Sequence, residues 1–125
     1  MDVTPVMAKG AKPVSGYGVG FFRIGDEVVS GAVLLYPETV VAAPVAALDQ
    51  LTPEMLTQIC QQEPVPQVLL LGVGPVFDRL PSPELRAAAK QAGVILEIMD
   101  TGAACRTWNV LLSEGRRVAA LLWPV

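Results

Sequence analysis

The chain has 125 residues, 52% hydrophobic and 17% charged, with a net charge of −3 and no histidine. That length suits one ordinary domain, and with Arg116-Arg117 as the only adjacent basic pair there is no basic surface for nucleic acid. The missing histidine excludes Ser-His and Cys-His nucleophile pairs, His-ligated zinc and His general bases.

The apolar excess raises the question of membrane insertion. No run approaches the ~18–20 apolar residues of a spanning helix. The longest uncharged stretch, Pro64 to Phe77, is interrupted by Pro66, Gly72, Gly74 and Pro75. The opening MDVTPVMAKGAKPVSG lacks the apolar block of a secretory signal. Cys60 and Cys105 are too few for a disulfide framework. A soluble, cytoplasmic protein without membrane insertion is expected, its apolar content explained by strands buried on both faces.

In chain order, residues 1–13 read as an irregular arm and 14–125 as a single α/β domain. Val19, Phe21 and Arg23 alternate, Gly25-Asp26 marks a turn, and Val28 to Tyr36 reads as one further strand, giving an N-terminal hairpin. Glycines 16, 18 and 20 recur at the strand period, which predicts close backbone approach or strong twist. Glu38 to Ala43 reads as a third strand, stopped by Pro44. Thr52-Pro53-Glu54 and Ser82-Pro83-Glu84 share one helix-start grammar: a capping hydroxyl, proline at the first helical position and an acid in the first turn. Met55, Leu56, Ile59 and Cys60 line one face of the first helix, and Leu85, Ala88, Ala89 and Ala92 line the second, which Gly93 closes. Val68–Leu71 and Val94–Ile98 read as buried strands on either side of that second helix. Together they predict a right-handed βαβ crossover. A helix over 102–114 and a strand over Arg117–Trp123, its direction open, complete a three-layer α/β fold: a mixed central β-sheet with helices on its faces.

Asp100-Thr101-Gly102-Ala103 follows the apolar run Val94-Ile95-Leu96, the way an aspartic protease presents its catalytic carboxylate. Such a site needs a second Asp-Thr-Gly loop and a β-barrel built largely from residues after the first. Here the following residues are helical in pattern. Ala104, Thr107, Trp108, Leu111 and Leu112 share one face, with Gly102, Arg106, Asn109 and Ser113 opposite. Asp100 or Thr101 is therefore expected to cap a helix, not to cut peptides.

The segments GYGVGFFRIGDEVVSGAVLLYP, VLLLGVG and PSPELRAAAKQAGVILEIMDTGAACRTWNVLLSEGRRVAALLWP together resemble one family over nearly the whole chain. It is the family of small uncharacterised domains that includes mitochondrial respiratory complex I assembly factor three and the adipogenesis-associated domain proteins. Its most specific signature is Met99-Asp100-Thr101, then Ala103-Ala104-Cys105-Arg106-Thr107, an aromatic at Trp108, Asn109, and Glu114-Gly115-Arg116. The chain departs from it at Trp108, where relatives usually have tyrosine, and at Ala42-Ala43-Pro44, where they usually carry a tryptophan. The resemblance implies a three-layer α/β fold with a mixed central sheet and action through protein partners; it brings no established catalytic activity, and no cofactor is expected.

Two parallel strands ending at Gly72-Val73-Gly74 and Asp100-Thr101 place those residues on the sheet edge where open α/β folds bind ligands. A candidate ligand or partner pocket is Gly72, Gly74, Asp100, Thr101, Arg106 and Asn109. The competing reading is a glycine turn, a capping Asp100 and an Arg106 paired with Asp100 or Glu97. Cys105 lies in the first turns of a helix, where a thiolate is stabilised. It is a candidate reactive thiol, weighed against a packed one. No metal-ligand spacing stands out. The leading reading is a non-enzymatic protein-binding or assembly domain, monomeric or weakly self-associating. The alternative is a small-ligand binder or enzyme using the Gly72/Asp100 edge. Val40 to Leu48, VVAAPVAAL, reads as a strand and packed loop; if exposed, it is the best candidate partner surface.

Overall fold

A computed structural model describes residues 10–125. The expected arm falls mostly on residues 1–9, outside the described residues; residues 10–13 are a turn and irregular backbone. Val14–Gly18 (β1), Phe21–Ile24 (β2) and Glu27–Ser30 (β3) form an antiparallel sheet of their own. The Gly25-Asp26 turn between β2 and β3 is the hairpin read from the sequence, with Gly25 at φ +57°.

Two breaks between strands depart from expectation, both at glycine. The run Val28–Tyr36 is not one strand. Gly31 takes φ +82° and donates its N–H to the Gly20 carbonyl at 2.9 Å, and the chain leaves the first sheet to enter Val33–Tyr36 (β4) of a second. Gly20, at φ +80°, likewise turns the chain between β1 and β2. Side chains rarely adopt such φ values, so the breaks are encoded in single glycines that a hydrophobic pattern passes over. Gly18 supplies the close approach expected of this region, because a Cβ there would collide with the Phe21 ring.

The remaining elements are Thr39–Ala42 (β5), Pro53–Cys60 (α1), Val68–Val73 (β6), Pro83–Gln91 (α2), Ile95–Met99 (β7), Thr101–Ser113 (α3) and Val118–Trp123 (β8). Five strands make the central sheet in the order β5-β4-β8-β6-β7. β8 is parallel to β6, which settles the direction left open by the sequence, and β4 runs antiparallel to β8. β6 extends through Gly72-Val73, which the sequence placed in a loop.

The helix starts are as read. The Thr52 hydroxyl accepts the Met55 N–H at 3.1 Å and the Ser82 hydroxyl that of Leu85 at 3.2 Å, each with proline following the cap. From β6 the chain crosses by α2 to β7, then returns by α3 past β6 to β8. Two right-handed crossovers in opposite directions must lie on opposite faces of the sheet. The two cores show that they do. One joins α1 and α2 to Leu34, Leu69, Leu71, Ala119 and Leu121; the other joins α3, Phe22 and Ile24 to Leu35, Leu70, Ala120 and Leu122. Alternate residues of each central strand thus enter opposite cores. The three layers are α1/α2, the five-stranded sheet, and α3 with the small sheet.

Candidate functional site

β6, β7 and β8 are parallel, so their C-terminal ends meet at one edge with the start of α3. Asp100 is the N-cap: its carboxylate accepts the Ala103 N–H at 2.8 Å. Thr101 is fully buried. Its hydroxyl accepts the Gly74 N–H at 2.8 Å and donates to the Trp123 carbonyl at 2.6 Å. Its own N–H donates to the Gly74 carbonyl at 2.8 Å. One side chain thereby ties the ends of β6 and β8 to the start of α3.

Gly72 is closed in as well. A Cβ there would lie 2.9 Å from a Leu122 methyl, 3.0 Å from the Ala104 Cβ and 3.2 Å from the Thr101 Cα. This edge brings Gly72, Gly74, Asp100 and Thr101 together, as the sequence indicated, but it fills the space between them. Gly74, at φ +101°, borders a cavity of about 370 Å³ that none of the other five reaches.

Arg106 and Asn109 lie further along α3. Arg106 is exposed and, among the described residues, pairs with neither Asp100 nor Glu97. Asn109 is not on a solvent face. Its side chain accepts the Val14 N–H at 2.8 Å and donates to the Val14 carbonyl at 2.7 Å, closing the edge of β1. Gly102, also expected on that outer face, is buried beneath the Tyr17 hydroxyl. The small sheet covers this side of α3, so the helix is buried more widely than its apolar stripe implied.

Cys105 is buried, and burial pushes its thiol up to about 11, against a smaller lowering by Arg106. A nucleophile needs the opposite shift. Cys60 is likewise buried and raised to about 11. Among the described residues, no three of His, Cys, Asp and Glu are grouped to hold a metal ion, and no helix is long and apolar enough to cross a membrane.

The larger opening lies elsewhere. A cavity of about 530 Å³ sits beside the β4–β5 hairpin, floored by Leu34, Tyr36, Val41, Pro64 and Leu112, with Arg116, Arg117, Glu38 and Glu63 around it. A smaller one of about 210 Å³, lined in part by Met55, Ile59 and Pro44, shares Leu34, Tyr36 and Gln62 with it. Together they form a groove along the β4–β5 hairpin, walled by α1 and the loop that follows it and by the link between α3 and β8. Sequence reasoning missed it because it depends on which strands α1 leaves uncovered. The signal at hand was Val40–Leu48. Within it Val40, Ala43 and Val45 are half-buried against the two cores and Leu48 is buried, as a strand and packed loop require, while Val41, Ala42, Pro44 and Ala46 are exposed.

Comparison with known proteins agrees with this architecture. The family model described as Protein of unknown function (DUF498/DUF598) matches residues 14–123. An uncharacterised protein of Rhodobacter capsulatus is 41% identical over 93% of this chain and 87% of its own length. The Mus musculus NADH dehydrogenase (ubiquinone) 1 alpha subcomplex assembly factor 3 is 33% identical over 89% of this chain, which spans 60% of that protein's length. A crystal structure from Bordetella parapertussis superposes with a TM-score of 0.84 at 36% identity, covering 94% of this chain and 99% of that one.

Proposed function

We propose, from the premise that this chain belongs to the DUF498/DUF598 family of proteins of unknown function, that it is a non-enzymatic, protein-binding assembly factor. The observation that carries this reading is the match to the mouse protein named an assembly factor of NADH dehydrogenase, which extends over 89% of this chain. The site chemistry supports it. The sequence has no histidine, both thiols are buried and raised, and the Gly72/Asp100 edge is packed by Thr101, Ala104 and Leu122. That packing closes the space between Gly72, Asp100 and Thr101, and of the candidate residues only Gly74 reaches the cavity of about 370 Å³ at this edge.

In this reading residues 14–125 act as one domain, monomeric or weakly self-associating, in a reducing cytoplasm that keeps Cys60 and Cys105 as thiols. The gene's deletion in its own host tests it. NADH-driven quinone reduction in isolated membranes, and the amount of the assembled enzyme on native gels, should fall severalfold and return with a plasmid copy. Unchanged levels of both would sink the reading.

A further inference from the structure

The two sheets present four outer strands, β1, β3, β5 and β7. An outer strand exposes unpaired backbone groups that recruit other strands unless it is clamped, bulged or charged. Three of the four carry such protection. β1 is held at Val14 by both polar atoms of Asn109 and has a register shift between Val14 and Gly16. β3 begins with Glu27, and β7 has Glu97 at its centre.

β5, Thr39-Val40-Val41-Ala42, has no charge, no proline and no bulge, and its register with β4 runs unbroken from Tyr36↔Thr39 to Val33↔Ala42. The Ala43 N–H continues the ladder to the Ala32 carbonyl at 3.0 Å. With Ala43 bonding inward, antiparallel alternation turns Thr39 and Val41 inward too, and directs the N–H and C=O groups of Val40 and Ala42 outward. Among the described residues no strand but β4 pairs with β5. On the α1 face, Val41 is 43% exposed and opens onto the apolar groove.

We propose that the outer side of β5 is a docking site for an extended, proline-free apolar segment of a partner protein. The backbone groups of Val40 and Ala42 hold the segment, and its alternate side chains enter the groove beside Val41. This deepens the assembly-factor reading and rests on it for the existence of a partner. Strand addition takes its affinity from main-chain bonds and its specificity from pockets for alternate side chains, and both parts are present here. A second copy of this chain fits less well. A β5–β5 pair would offer only Thr39 and Val41 to this face, too small to fill a cavity of about 530 Å³. A partner strand bearing leucine or phenylalanine would occupy more of it.

The probe is a short synthetic peptide alternating threonine with leucine and phenylalanine, and a twin N-methylated on the residues that face β5. At saturation, hydrogen exchange of the Val40 and Ala42 amides should slow at least about tenfold, and the twin should bind about tenfold more weakly or worse, the effect of losing one or two backbone bonds. Ala42→Pro removes an outward N–H at a position where an outer strand tolerates proline. It should weaken the parent peptide similarly while leaving the thermal transition in place. Equal binding of both peptides overturns the proposal. So does protection of the two amides in the free monomer, or protection that rises with protein concentration alone, the mark of a second copy. In the deletion strain, A42P restoring respiratory activity as well as the native chain would remove this docking site and leave the assembly reading intact. A native chain without effect there, combined with peptide binding, would remove the reading and leave the site.

Discussion

Asp100, Thr101 and Gly102 look like a catalytic motif, and each is accounted for by the backbone it serves. Asp100 accepts a free N–H of the first helical turn, and Gly102 leaves room for the Tyr17 hydroxyl. Thr101 accepts from Gly74 and donates to Trp123 in a site without solvent. Replacing Thr101 by valine keeps the shape and deletes both bonds, stranding a buried N–H and a buried C=O. Each such group costs about 1–3 kcal/mol, so Thr101→Val should lower unfolding stability in urea by about 3 kcal/mol. Thr101→Ser retains the hydroxyl and loses one buried methyl group, and should cost about 1 kcal/mol. Equal losses for the two variants would show that packing, rather than the shared hydroxyl, holds this edge. The sequence announced the cap through its spacing, since Asp100 precedes a helical stripe. It held no sign of Thr101's partners, because Gly74 and Trp123 reach it only after two crossovers.

At the scale of elements, α3 joins the two sheets. One face packs on β6 and β8 through Ala104, Trp108 and Leu112. Its flank holds β1 through Asn109, and the Trp108 indole N–H donates to the Lys12 carbonyl at 2.8 Å. Asn109→Ala frees both Val14 backbone groups together. Partial solvent access softens the loss to about 2 kcal/mol. Hydrogen exchange should locate it, with the Val14 amide and its β1 neighbours opening while β6 and β8 keep their protection. Uniform loss across both sheets would mean that β1 is no separate unit. The βαβ unit from β6 to β7 was legible because its signals are local: a capping serine, a proline, an alanine stripe and a closing glycine. The N-terminal strands were less so. Gly20 and Gly31 act through φ, and a run such as Val28–Tyr36 looks continuous in hydrophobicity while its chain changes sheets. The exposed side of β5 was hidden for a related reason, since a strand's place at the margin follows from long-range pairing. What Val40–Leu48 did reveal was an apolar, proline-interrupted stretch, a strand and packed loop that leaves Val41 and Ala42 exposed.

At the scale of the whole molecule, the buried titratable groups set how the fold responds to alkali. Cys60 and Tyr36 lie under the α1/α2 layer and Cys105 under α3. The Tyr36 hydroxyl donates to the Ile59 carbonyl at 2.9 Å, and burial, helped by Cys60, pushes it up to about 12. Both thiols are raised from 9.0 to about 11 by burial. In each case the folded state favours the neutral form. The unfolded chain loses these protons first as pH rises, so it binds fewer protons than the native state between the two pKa values. The stabilisation is therefore complete below about pH 9 and is lost as pH climbs toward 11. Each thiol contributes a slope of about 1.4 kcal/mol per pH unit within that window. Urea unfolding at about pH 8 and about pH 10.5 should show a marked fall in stability for the native chain. The Cys60→Ala, Cys105→Ala double variant starts lower, having lost packing in both cores, but its decline should be shallower because of the three raised groups only Tyr36 remains. An equally steep decline in the double variant would place the alkaline sensitivity outside these two cores.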